Sequence, residues 1–201
     1  LVTGQFDPTY HQAVWPSTGN YCRGGAYNST LLGCSSIAIL PENMSRERFE
    51  WLKTVAGEVI ATPGCESNVK EIYDKTWELR RTRDNVVILN QFGELGNHLW
   101  HYEVTGHAME DIINAEAGPK GKVSGVCLTS GSAGTLGSGD YIKDRYPNAK
   151  LAVSEALQCP TLLMNGFGDH RIEGIGDKHV PWIHNVKNTD MIIAIDDNDS
   201  L

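Results

Sequence analysis

The chain has 201 residues, 40% of them hydrophobic and 21% charged, with a formal net charge of -8. That length suffices for one large domain or two small lobes with a real core, and the composition is that of an ordinary globular protein. The acidic balance argues against nucleic acid as a partner, and no apolar run is long enough to cross a membrane.

Strand and helix signals alternate along the chain. Ala13, Val14 and Trp15 read as the end of a strand, and residues 20–32 as a helix. Residues 36–40 are a β-branched and aliphatic strand that Pro41 is expected to stop. Ser45 is placed to cap a helix that runs to about residue 56, with Phe49, Leu52 and Ala56 at helical spacing. Residues 58–62 form the next strand, ended by Pro63-Gly64. Residues 68–81 make a charged amphipathic helix whose apolar members are Val69, Ile72, Tyr73, Trp77 and Leu79. A fourth buried strand follows at 86–89, then a helix over 104–114 with Met109, Ile112 and Ile113 on its apolar face. An apolar strand at 123–128 leads into Gly131-Ser132-Ala133-Gly134-Thr135-Leu136-Gly137 and a helix over about 136–146. Strands at 149–153 and 191–195 complete the series. Residues 158–182 are rich in glycine and histidine and short of regular signals, and long segments of that kind are often functional.

This alternation predicts an α/β fold with mostly parallel sheets flanked by helices on both faces. Residues 115–122 carry Gly, Pro and Lys without apolar periodicity, so the lobes are expected to span 1–114 and 115–201. The five cysteines (Cys22, Cys34, Cys65, Cys127, Cys159) are odd in number and contain no Cys-x-x-Cys pair. They favour structural thiols in a reducing cytoplasm. Asn28-Ser29-Thr30 and Asn43-Met44-Ser45 match a glycosylation sequon, but nothing else suggests secretion. The chain opens on Leu1 and closes on Leu201 soon after a strand, and both ends are expected to be cuts in a longer protein.

A strand that turns through glycines into a helix start is built to hold phosphate, because free N–H groups and the helix dipole point at the ligand. The glycine loop therefore predicts a phosphorylated cofactor. Its Gly131, Gly134 and Gly137 do not follow Gly-x-Gly-x-x-Gly, which argues against a dinucleotide, although a nucleotide fold or a plain strand–helix turn stays open. Ligands in such folds sit at the carboxyl ends of strands. Ser17-Thr18-Gly19-Asn20 follows the first strand there, and Asn90-Gln91-Phe92 the fourth. Taken alone, Asn20 reads equally as a helix cap and Gln91 as a solvated amide.

In order along the chain, these loops resemble the fold-type II enzymes that use pyridoxal phosphate, the cysteine synthase and tryptophan synthase β-subunit group. Pro16 to Asn20 resembles that family's asparagine loop, and Leu40-Pro41-Glu42-Asn43-Met44-Ser45 its Pro-Glu-x-Met-Ser segment. Asn90-Gln91-Phe92 resembles its Gln-Gln-Phe turn, and His101-Tyr102-Glu103-Val104-Thr105-Gly106 its His-(Tyr/Phe)-Glu-Thr-Thr-Gly segment. Gly131 to Thr135 resembles its Gly-Thr-Gly-Gly-Thr phosphate loop, and Gly174-Ile175-Gly176 with Val180-Pro181 its Gly-Ile-Gly and Ile-Pro pair. The resemblance implies pyridoxal 5'-phosphate as cofactor, with its phosphate on Gly131, Ser132, Ala133, Gly134 and Thr135. It places Asn20 on the ring 3'-hydroxyl, Ser17, Thr18 and Gln91 on a substrate carboxylate, and Gly174 along the cofactor cleft. It implies elimination or replacement at a small amino acid, as in a cysteine synthase or a desulfhydrase, by a homodimer in the cytoplasm.

The chain departs from the family pattern in several places. Tyr21 stands where a small hydroxyl residue is usual, narrowing the substrate pocket or offering a phenol, and Cys22 where glycine is frequent. Ala133 replaces a loop glycine, and residues 66–85 are extra length beside the simplest members. The family's Schiff-base lysine precedes the asparagine loop, and residues 1–16 contain no lysine. A truncated enzyme is the favoured expectation. The alternatives are a non-catalytic or regulatory subunit of the same fold, and a thiolase-like or ammonia-lyase-like enzyme. His98, His101 and His107 with Asp169, His170, Asp177 and His179 invite a metal site, but their spacing is loose and no metal is expected. Cys22, at a helix start, is read as a buried apolar residue before a reactive thiol. The charged run 78–84 is read as a solvated helix face.

Overall fold

The computed structural model describes residues 1–65, 68–118 and 120–200. Residues 66–67, in the stretch of extra length, and residue 119, in the expected boundary segment, lie outside the described residues. The chain forms two compact units, Leu1–Asn90 and Gln91–Leu201.

The first unit is a four-stranded parallel sheet of β1 (Gln12–Pro16), β2 (Ser36–Pro41), β3 (Glu58–Thr62) and β4 (Val86–Ile88), in the order β3-β2-β1-β4. Three helices connect the strands: α1 (Asn20–Leu31), α2 (Arg46–Val55) and α3 (Val69–Thr82). Strand β2 is buried along its whole length, which explains its unbroken apolar run. Its Ala38 and Leu40 pack with Cys22 of α1 and Leu52 of α2. Its Ile37 and Ile39 turn to the other face and pack with Ile72 and Leu79 of α3. Each fully buried aliphatic side chain of this kind stabilises the fold by roughly 1.5–3 kcal/mol.

Three details of this unit differ from the sequence reading. Strand β2 ends on Pro41 as expected, but Pro41 itself still faces Thr62 across the ladder, so the strand runs one residue past Leu40. Trp77 is 54% exposed, with the Arg80 guanidinium carbon 5.5 Å from its ring centre, and Thr76 takes the buried position beside Leu79. Strand β4 is an edge strand and only half-buried. Arg83, in the charged run, reaches β3 and holds Glu58 through two hydrogen bonds of 2.6 and 3.1 Å. The chain steps outward from β1 to β3 and then returns to lay β4 on the other side of β1. The strand order therefore reverses at β1, and the loop after β1 opens at a switch point of the kind where α/β sheets bind ligands.

The second unit carries α4 (Leu95–Trp100), a π-helical turn (His101–Thr105) and α5 (Gly106–Glu116) as one helical run. The sequence reading began this helix at 104, because Leu95, Leu99 and Trp100 are more than half exposed and draw no apolar stripe. Ile112, expected in the core, is 64% exposed. A parallel sheet of β5 (Gly125–Thr129), β6 (Lys150–Ala156) and β7 (Met191–Ile195) follows, in the order β5-β6-β7. The helix α6 (Leu136–Arg145) joins β5 to β6, and two short helices, α7 (Thr161–Met164) and α8 (Asp197–Ser200), flank β7 in sequence.

Leu136, Leu151 and Val153 form one core cluster of this unit, and Tyr141, Ile142 and Ala149 another, with Met109 and Ile113 of α5 against it. Helix α6 packs closely on the π turn and on α5. A Cβ on Gly137 would strike the His98 carbonyl, and one on Gly106 would meet Tyr141 at 2.7 Å. This packing ties residues 95–116 to the second unit, whereas the sequence reading put residues up to 114 in the first lobe. The face of the second sheet that bears Cys127, Met191, Ile193 and Ile195 is exposed among the described residues.

The two kinds of helical glycine predict opposite signs. Gly24 in α1 has open space where a Cβ would stand, so Gly24→Ala should stabilise by up to about 1 kcal/mol. Gly137→Ala meets backbone that cannot swing away and should destabilise by more than about 2 kcal/mol. Urea unfolding of both variants checks the pair.

Candidate functional site

The strongest site is the turn from β5 into α6. The amides of residues 131–135 donate to no backbone or side-chain acceptor among the described residues. The hydrogen bonds of the turn begin one residue later, with Leu136 N to Ala133 O, Gly137 N to Gly134 O and Ser138 N to Thr135 O at 3.0–3.3 Å. A row of unpartnered N–H groups therefore sits at the positive end of a ten-residue helix. A phosphate dianion is the partner such a row fits.

Side chains and neighbouring backbone hold the row open. Thr135 Oγ1 donates back to Thr129 O at 2.8 Å, bracing the two ends of the loop. Asn97 Nδ2 donates to Ser132 Oγ at 2.9 Å and to Gln91 O at 3.0 Å. A Cβ on Gly134 would run into this same Asn97 side chain, which explains the glycine. A Cβ on Gly131 would collide with the Gly174 carbonyl, so the Gly-Ile-Gly segment lies against the loop. Gly174 and Gly176 both have positive φ, 89° and 74°. Ala133 also sits in the left-handed region, at φ 66°, with its methyl buried among Leu136, Leu151 and Val153. The glycine it replaces is thus tolerated as alanine, because the buried methyl offsets backbone strain of roughly 1–2 kcal/mol.

Behind the loop, Ser130, Gly131 and Ala133 share a small cavity with Glu155, Asp177 and His179. Glu155 is settled: its carboxylate oxygens accept the Leu162 and Leu163 amides at 2.8 and 2.9 Å, at the start of α7. Asp177 is different. It is 5% exposed, its Oδ2 has no hydrogen-bond partner among the described residues, and burial pushes its carboxyl up to about 7. Sequence reasoning singled out neither Asn97 nor Asp177 for this site. Their signals were faint: an amide six positions after Gln91, and an acid directly after Gly-Ile-Gly.

In the first unit, the expected substrate residues lie on the β1–α1 loop at the switch point. Ser17 and Thr18 are buried. Ser17 N is bonded to Ile39 O at 3.0 Å, and Ser17 Oγ accepts the Gly19 amide at 3.0 Å. That arrangement leaves the Ser17 hydroxyl hydrogen available to a ligand. Arg48 Nη1 donates to Thr18 O at 3.4 Å and occupies the space a Gly19 side chain would need. Asn20 is exposed and is the first residue of α1; the cap position belongs to Gly19, which makes no side-chain bond. Tyr21 packs edge-on against Trp15, with ring centres 5.3 Å apart. Cys22 is fully buried, its thiol donates to Gly19 O at 2.9 Å, and burial pushes it up to about 12. Its buried-residue reading stands over the reactive one. Gln91, in the second unit, is buried, and its carbonyl is held by Asn97. Among the described residues, no three His, Cys, Asp or Glu side chains gather as a metal would require. Nor, among them, is any helix long and apolar enough to cross a membrane.

Comparison with known proteins bears on the same residues. The model of the family described as pyridoxal-phosphate dependent enzyme matches residues 9–201. The chain belongs to that family. It is 32% identical over 198 residues to a cystathionine beta-synthase of Dictyostelium discoideum, covering 93% of this chain and 38% of the relative. It is 30% identical over 184 residues to a cysteine synthase of Staphylococcus aureus, covering 90% of this chain and 57% of the relative. The chain thus spans less than two thirds of the length of these relatives. Its structure resembles a hydrogen sulfide-producing enzyme of Fusobacterium nucleatum with a TM-score of 0.89 at 25% identity, over 99% of this chain and 65% of that one. The fold is that of the fold-type II pyridoxal-phosphate enzymes, and the unpartnered amides at 131–135 suit the phosphate of that cofactor.

Two measurements test this local picture. Ala133→Gly should change stability by less than about 1 kcal/mol, because relief of left-handed strain and loss of a buried methyl nearly cancel. Ala133→Val should cost more than about 2 kcal/mol, since a β-branched residue is strained at positive φ and the site is already filled. In a second experiment, iodoacetamide at pH 8 should alkylate exposed Cys127 and spare Cys22, as read by peptide mass spectrometry.

Proposed function

We propose that the whole protein catalyses elimination or replacement at a small amino acid, in the manner of a cysteine synthase or a cysteine desulfhydrase. The observation that carries this reading is the row of unpartnered amides at 131–135 in a chain of the pyridoxal-phosphate family. The similarity to a cysteine synthase and a cystathionine beta-synthase supports the reaction class. When bound, pyridoxal phosphate supplies an electron sink for negative charge at the substrate α-carbon.

The residues divide the work between binding and orientation. The amides of Gly131, Ser132, Ala133, Gly134 and Thr135 take the phosphate, and Gly174 backs the loop. Asn97 fixes the loop through Ser132, so the phosphate site is formed before the ligand arrives. The Asn20 amide meets the ring 3'-hydroxyl. Ser17, Thr18 and Gln91 hold the substrate carboxylate, with the free Ser17 hydroxyl hydrogen as one donor. Tyr21, fixed against Trp15, borders the amino-acid pocket and limits the side chain admitted. The free cysteines support a reducing cytoplasm as the working compartment, and the family reading carries a homodimer.

The whole protein mixed with pyridoxal phosphate should turn yellow, and the visible band should persist through gel filtration. Pyridoxal, which lacks the phosphate, should bind at least about a hundredfold more weakly, equivalent to about 2.8 kcal/mol. A whole protein that stays colourless, and releases no sulfide or acetate from cysteine or O-acetylserine, would sink the reading.

A further inference from the structure

Asp177 has no part in the reaction as described above. It is buried, its Oδ2 has no hydrogen-bond partner among the described residues, and it stands at the phosphate loop. Its Oδ2 would lie 3.0 Å from a Cβ on Gly131, the first residue of the unpartnered amide row. The cavity it lines holds only about 20 Å³, room for roughly one water, so solvent cannot screen a charge there. No cation answers it among the described residues. Lys178, its neighbour in sequence, turns away to Asp169 at 3.2 Å. His179 Nδ1 lies 2.9 Å from the Asp177 backbone carbonyl rather than its carboxyl. Glu155, on β6, is committed to the α7 amides and adds a second negative group to the same cavity. His184 Nε2 is engaged with Thr189 Oγ1 at 3.0 Å, and burial holds its ring toward the neutral form. His170 packs under Gly176, and neither ring nitrogen has a hydrogen-bond partner among the described residues.

An anion held on the Gly131 amide would therefore face an anionic carboxylate across a few ångströms of protein, with no cation among the described residues to offset it. Two like charges so placed do not both stay ionised. We propose that Asp177 belongs to the phosphate site and binds the cofactor phosphate in its protonated form, so that phosphate binding takes up a proton. The proposal rests on the phosphate reading of residues 131–135. Burial has already raised the carboxyl to about 7 in the free protein, so only a modest further rise is needed to keep the proton through neutral pH.

The sign follows from linkage. The bound state holds the proton more tightly than the free state, so affinity for the phosphate falls as pH rises above the free-state value. Between pH 7 and 8.5 a phosphate ester is fully dianionic and adds no titration of its own. Over that interval the whole protein should lose about tenfold in affinity for pyridoxal phosphate relative to pyridoxal, and Asp177→Asn should abolish that loss. Asp177→Asn should also raise the Tm of the cofactor-free protein at pH 8 and leave it unchanged at pH 4, because the buried charge is absent at the lower pH. Fluorescence titration with both ligands, with Asp177→Ser as a second variant should Asn fold poorly, supplies the affinities. Equal pH dependence in wild type and variant, with pyridoxal phosphate still strongly preferred over pyridoxal, overturns the role of Asp177 and leaves the phosphate loop standing. No preference for pyridoxal phosphate over pyridoxal in either protein overturns both.

Discussion

The second unit depends on one constraint: the amides of residues 131–135 must remain unpaired. A backbone row of that kind is costly unless neighbours keep the chain from folding back on itself. Here the neighbours are backbone and one amide side chain. The Gly174 carbonyl abuts Gly131, Asn97 fills the space at Gly134, and the His98 carbonyl abuts Gly137. Glycine is needed at each position because another chain segment occupies the place of the side chain, and only at Ala133 does a methyl find room in the core. The strain at Ala133 and the orphaned donors are two sides of the same arrangement. Both are held in place by the packing of α6 on the sheet and on the helical run of residues 95–116.

The first unit solves a simpler problem. Its central strand β2 is buried on both faces, so its side chains divide between the α1 and α2 side and the α3 side. Reversal of strand order at β1 then opens the following loop, where Ser17 and Thr18 are buried and hydrogen-bonded rather than solvated. Trp15 lies across α1, its indole N–H donating to Ser29 Oγ at 3.0 Å, and Gly25 leaves room for the ring. The same indole supports Tyr21, so a core contact also orients a residue at the mouth of the loop.

Elements whose burial follows a simple period were legible in the chain. The strands at 36–41, 58–62 and 191–195 and helices α1 to α3 and α6 fall within a residue or two of their predicted bounds. The glycine loop was legible because glycines between a strand and a helix have few other uses. Helix α4 was missed because its large apolar residues face outward and leave no periodic stripe. Trp77 and Ile112 were assigned to the core on their chemistry, and both are exposed, because helix rotation against a sheet is set by what packs best, not by which residue is most apolar. The unit boundary moved to Asn90 because residues 95–116 find their packing partner in α6, later in the chain.

By itself, the amino-acid sequence determined the α/β class, the order of the elements, the place of the phosphate loop and the family. All of these follow from local periodicity, from turn chemistry, or from motifs in fixed order. Tertiary structure alone decided which glycines are obligatory, that Asn97 braces the loop, that Cys22 is an inert thiol and that Asp177 stands unpaired beside Gly131. Those properties depend on distance between residues far apart in the chain and on exclusion of water, and neither is encoded in spacing along a sequence.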